Sequence, residues 1–101
     1  MGRSPHPQAR AASQVTRAAE EIAYIAETVS VPHDTLPLDC GWSVVISERY
    51  DGERWQMSAT ACDAYGVAVI SCPCSYSSPD QKSDCLRRCL KALAQELHTG
   101  T

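Results

Sequence analysis

Six cysteines are the residues in this 101-residue chain best suited to chemistry, and four of them lie toward its C-terminal end. Cys72-Pro73-Cys74 and Cys85-x-x-x-Cys89 together offer four thiolates, a ligand set that tetrahedral zinc accepts. The spacing argues the other way. A zinc knuckle uses C-x-x-C, and C-x-C grips a single zinc poorly. Cys85 and Cys89 also fall on the apolar face of a C-terminal helix, where reduced cysteine behaves as a small hydrophobe. The expectation is reduced, mostly buried thiols. A zinc module on Cys72, Cys74, Cys85 and Cys89 is the alternative, and disulfide or redox chemistry is a third reading. Cys40 and Cys62 stand apart in the sequence.

The three histidines are scattered: His6 in an N-terminal tail, His33 in a linker and His98 at the end of a helix. None neighbours a nucleophile in sequence, although His33 with Cys40 is a pair that folding would have to assemble. The chain has no Gly-rich phosphate loop, no H-x-x-x-H and no G-x-S-x-G. No catalytic constellation and no cofactor are expected, so the reading is a non-enzymatic binding protein.

Charge offers the remaining chemistry. The formal net charge of −3 is mild and gives no basic field for nucleic-acid phosphates, so direct nucleic-acid binding is not expected. The charges are segregated. Glu20, Glu21, Glu27, Asp34 and Asp39 fall in a stretch without Lys or Arg, while Arg87, Arg88 and Lys91 share the C-terminal helix. The five carboxylates are the expected partner-binding residues, imitating phosphates toward a basic protein surface. The basic stripe Arg87, Arg88 and Lys91 is the competing surface. The bland reading of either is a solvated helix face.

The elements that position these groups follow from periodicity. Residues 1–8 read as a flexible tail and 9–101 as one domain. Ala9–Ser30 reads as an amphipathic helix, with Val15, Ala18, Ala19, Ile22, Ile25, Ala26 and Val29 at helical spacing and Pro32 as its stop. Val31–Gly41 reads as a linker. Asp51-Gly52 marks a two-residue hairpin turn. Centred there, Ile46 faces Met57, Val44 faces Ala59 and Trp42 faces Ala61, all on one face. Arg49 then opposes Arg54, which is mildly unfavourable. Val67–Cys72 reads as a third strand, which Pro73 ends or places at an edge. Ser78-Pro79-Asp80-Gln81 predicts a helix start with a capping box, and the helix runs to about Leu97. It turns Cys85, Leu86, Cys89, Leu90, Leu93 and Leu97 inward. The fold class is α+β: a three-stranded antiparallel sheet with an N-terminal and a C-terminal helix packed on one face, in the order α-β-β-β-α.

That order resembles double-stranded RNA-binding domains, but in topology alone. Their lysine cluster at the last helix is replaced here by a single Lys82 before Ser83 and Asp84. Seven Arg against two Lys, abundant Ala, and no Phe or Asn suggest a GC-rich bacterial or phage genome. In general character the chain is similar to phage-encoded anti-CRISPR proteins: very short, mildly acidic, α+β and single-domain. That resemblance covers the whole chain without a diagnostic motif and carries over no residue. It implies an inhibitor that blocks a nucleic-acid-binding complex, such as a CRISPR effector, by protein–protein contact. A small adaptor or accessory subunit is a further reading, and a homodimer is open to either. With neither an apolar spanning run nor a signal peptide expected, the location is the cytoplasm of a bacterial host and no membrane is involved.

Overall fold

Ala18, Ala19, Ile22 and Ala26 recur at helical spacing and form the buried face of helix α1, Pro7–Thr28. The computed structural model describes residues 7–28 and 34–99, with side chains from Gln14 onward. Residues 1–6 of the expected tail lie outside the described residues. So do His6, Val29, Pro32 and His33. Pro7 and Gln8 open the helix, which suits proline in a first turn.

The sheet is antiparallel with strand order β1-β2-β3-β4: Thr35–Pro37, Ser43–Tyr50, Trp55–Cys62 and Ala68–Tyr76. It has four strands, which corrects the three expected. The extra strand comes out of the expected linker, where Thr35 pairs with Val45 and Pro37 with Ser43. Three residues are too few for alternation to register. Pro37 is tolerated because an edge strand has no second neighbour asking for its N–H. At the opposite edge, β4 runs through Pro73 to Tyr76, well beyond Cys72.

The hairpin register also needs correction. Ile46 lies opposite Ala59, Val44 opposite Ala61, and Met57 opposite Glu48. The tip is Gly52-Glu53, closed by the Asp51 N–H donating to the Arg54 carbonyl at 3.0 Å. A tip at Asp51-Gly52 needs positive φ at both positions, yet only glycines adopt it among the described residues, Gly52 at 103°. Asp51 is used differently. Its Oδ1 accepts the Glu53 and Arg54 N–H groups at 2.9 and 2.8 Å, and its Oδ2 accepts Gln56 Nε2 at 2.9 Å. The Arg54 N–H, then that of Glu53, hold its carboxyl near 2. Moving the tip by one residue shifts each partner by two, so every side chain keeps its face. Ile46 and Met57 are both buried, and Arg49 now opposes Gln56. Gly52→Ala is expected to cost about 1 kcal/mol, from the backbone alone. No atom lies within 4 Å of the added methyl. Urea midpoints of the two proteins check this.

One face of the sheet supplies Trp42, Val44, Ile46, Met57, Ala59, Ala61, Cys72 and Tyr76 to the core. Helix α2, Lys82–Thr99, adds Cys85, Leu86, Cys89, Leu90, Leu93, Ala94 and Leu97 to the same cluster. The small α1 residues let the two helices approach closely. Ahead of α2, Pro79–Gln81 forms a single 3₁₀ turn, and the capping box is not made. The Ser78 hydroxyl bonds the Asp80 carboxylate instead, and Gln81 Oε1 accepts the Ser77 N–H at 3.1 Å.

Candidate functional site

Alternation along β4 points Cys72, Cys74 and Tyr76 toward the core, and the i, i+4 spacing puts Cys85 and Cys89 on the buried face of α2. Because α2 packs over β4, the two sets meet. The Sγ atoms of Cys74, Cys85 and Cys89 all lie within 4.8 Å of one another. Cys72 stays outside this triangle, so three of the four expected ligands come together. Its carbonyl faces the Cys89 thiol at 3.6 Å. Met57 is the direct cross-strand partner of Cys74 and is buried beside it. All six cysteines are free thiols. Cys62, Cys72, Cys85 and Cys89 are buried; Cys40 and Cys74 are half-buried.

Burial is the main influence on these thiols. With Cys74 alongside, it pushes Cys85 up to about 12. Burial and the other thiols, Cys74 first, raise Cys89 well above the ordinary range. Cys72 is raised by burial and then by Glu96. All three are protonated at neutral pH and are poor nucleophiles.

The acidic residues are divided. Glu20, Glu21 and Asp39 line one groove of about 490 Å³ with Arg17, Tyr24, Ile25 and Pro37. Within it Glu21 serves the structure, accepting the Asp39 N–H at 2.5 Å and the Cys40 N–H at 3.0 Å. That leaves Glu20 and Asp39 as its exposed carboxylates, beside a Tyr24 that is 70% exposed. Glu27 turns to α2 and pairs with Lys91 at 3.0 Å. Asp34 is exposed ahead of β1, and its carbonyl accepts the Ile46 N–H. On the basic stripe, Arg88 pairs with Asp84 at 2.8 Å, Lys91 with Glu27, and Arg87 is half-buried. Much of that stripe is therefore occupied by internal pairs.

Sequence reasoning missed Tyr24 and Pro37 in the groove. Tyr24 had a signal: an aromatic ring between Glu20 and Glu27 on a polar helix face. Also missed was a chain at the hairpin end of the sheet. Trp55 stacks on Tyr76 with centroids 6.2 Å apart, the Tyr76 hydroxyl donates to Glu48, and Glu48 pairs with Lys82 at 3.1 Å.

Compared with known proteins, the chain matches no family model, no curated protein and no solved structure. Among the described residues, no helix is long and apolar enough to cross a membrane.

Proposed function

We propose that this is a non-enzymatic inhibitor that docks on a basic, nucleic-acid-contacting surface of a protein partner through the groove between α1 and β1. The observation that carries the reading is the exposed Tyr24 with Glu20 and Asp39 in that groove. A carboxylate pair beside an open aromatic face suits an arginine or lysine, combining ion pairing with cation–π attraction. Such a contact steers association and competes with phosphate for the same cation. In mode of action this agrees with the phage anti-CRISPR-type inhibitors that the chain resembles in general character.

The test uses purified CRISPR effector complexes and reads the loss of target-DNA binding as the protein is added. The double reversal Glu20→Lys with Asp39→Lys is expected to weaken inhibition at least tenfold, since like charges then face each other. Tyr24→Ala is expected to weaken it several-fold. Raising the salt should narrow the gap between wild type and the double reversal. Effector complexes that bind DNA equally well with and without the protein would refute the reading. If Arg87→Glu with Arg88→Glu destroys inhibition while the groove reversals leave it intact, α2 is the recognition element.

A further inference from the structure

We propose that Cys74, Cys85 and Cys89 form a three-thiol site for a trivalent thiophilic ion of the arsenite class, independent of the groove. Thiolates bonded at about 2.3 Å to one centre stand about 4 Å apart or closer. The triad is already within 4.8 Å, so small side-chain rotations close it. The half-buried Cys74 gives a way in from the edge strand, while Cys85 and Cys89 are closed off in the core at 0% and 1% exposure.

Charge decides which ion fits. Three thiolates around a monovalent ion leave a net charge of −2, and around a divalent ion −1. Burying either costs several kcal/mol unless a cation compensates. Arg88, the cation that acts on Cys85, is exposed and already paired with Asp84. A trivalent centre leaves no charge at all. A closed structural zinc site also takes four protein ligands, and among the described residues no His, Asp, Glu or further Cys joins the triad. Three donors suffice for arsenic, whose lone pair fills the remaining direction.

Arsenous acid is neutral at neutral pH and condenses with neutral thiols. Three As–O bonds break and three As–S bonds form. Each thiol proton leaves with a hydroxide, so As(OH)₃ and three thiols give As(SR)₃ and three waters. No electron is transferred and no net proton is released.

The experiment titrates the full chain, reduced with a phosphine, with sodium arsenite. Native mass spectrometry should show one arsenic gained and three hydrogens lost per chain. The thermal midpoint should rise with arsenite concentration, because the bound ion ties α2 to β4. Cys74→Ala, Cys85→Ala and Cys89→Ala should each weaken binding at least 100-fold, and Cys72→Ala should leave it unchanged. Wild-type protein that takes up no arsenic overturns the proposal whatever the variants do. So does uptake that survives Cys74→Ala, uptake lost equally in Cys72→Ala, or stoichiometric zinc that arsenite fails to displace. Should the helix variants not fold, Cys74→Ala against Cys72→Ala decides, since both lie on the edge strand.

Discussion

Replacing Leu90 with alanine is expected to destabilise the protein by about 3 kcal/mol and to lower its thermal midpoint by roughly 15 °C. Leu90 is fully buried at the middle of α2's inward face and belongs to the cluster that α1 and the sheet share. Truncation removes three carbons' worth of transfer free energy and leaves a cavity. The walls of that cavity are held by other elements, so it collapses only partly. A domain of this size has few kcal/mol in reserve, and the loss is a large share of them. Gln95→Ala, on the exposed face of the same helix, should stay within about 0.5 kcal/mol of wild type. Urea denaturation of the three proteins measures both effects. A Leu90→Ala cost below about 1 kcal/mol would mean that α2 does not seal the core.

The same face shows why so much of the fold was legible in the sequence. A helix that buries one stripe must repeat its apolar residues at three- and four-residue spacing, and the stripe from Cys85 to Leu97 does so. The sheet face was legible for the analogous reason. Alternation fixes which side of a strand is apolar, even where the pairing partner is misjudged. That is how the hairpin kept Val44, Ile46 and Met57 inward while its register moved. Register depends on which residue at the tip takes positive φ, and Gly52 serves as readily at the first tip position as at the second. The strand Thr35–Pro37 was hidden because its pairing is decided by β2. Nothing in its own three residues favours a strand over a linker.

The candidate sites were legible to different degrees. Cys74, Cys85 and Cys89 could be named from the sequence, but their meeting depends on how α2 crosses β4, and spacing along the chain does not encode that crossing. Exclusion of Cys72 is a consequence of the same geometry. It sits one strand repeat back, at the foot of the helix turn that carries Cys89. The five acidic residues read as a single patch because sequence distance was the only measure. In three dimensions the 22-residue helix α1 turns Glu27 toward Lys91, while the loop after β1 brings Asp39 back to Glu20 and Glu21. A patch defined by the absence of intervening positive charge says nothing about which carboxylates are already in use.

Of the five, Glu21 is the carboxylate most fully in use, and removing it has the second large effect expected here. Glu21→Ala should cost about 1.5 kcal/mol, because it leaves the Asp39 and Cys40 N–H groups without their charged acceptor. These two bonds tie the loop Leu38–Gly41 to α1, so the groove should also lose its shape. Inhibition is then expected to weaken in this variant even though Glu20 and Asp39 remain. The effect must depend on pH. Burial pushes the Glu21 carboxyl up, but the Asp39 N–H, the Cys40 thiol and N–H, and the Arg17 guanidinium together outweigh it. The folded-state value ends below the ordinary 4.5. Between the two values the unfolded chain binds more protons than the folded one, so stability rises with pH. The contribution is complete above about 4.5 and is lost as the pH falls through the lower folded value. Asp51 acts in the same direction, with its own window between 3.8 and about 2. Glu21→Gln isolates the first group: it removes the titration and keeps the shape. Urea midpoints at about pH 7 and about pH 3 should differ less in Glu21→Gln than in wild type, with the whole deficit appearing at neutral pH. Equal pH dependence in the two proteins would show that the loop is held by its own turn, Gly41 N–H to the Leu38 carbonyl at 3.1 Å, and not by the carboxylate.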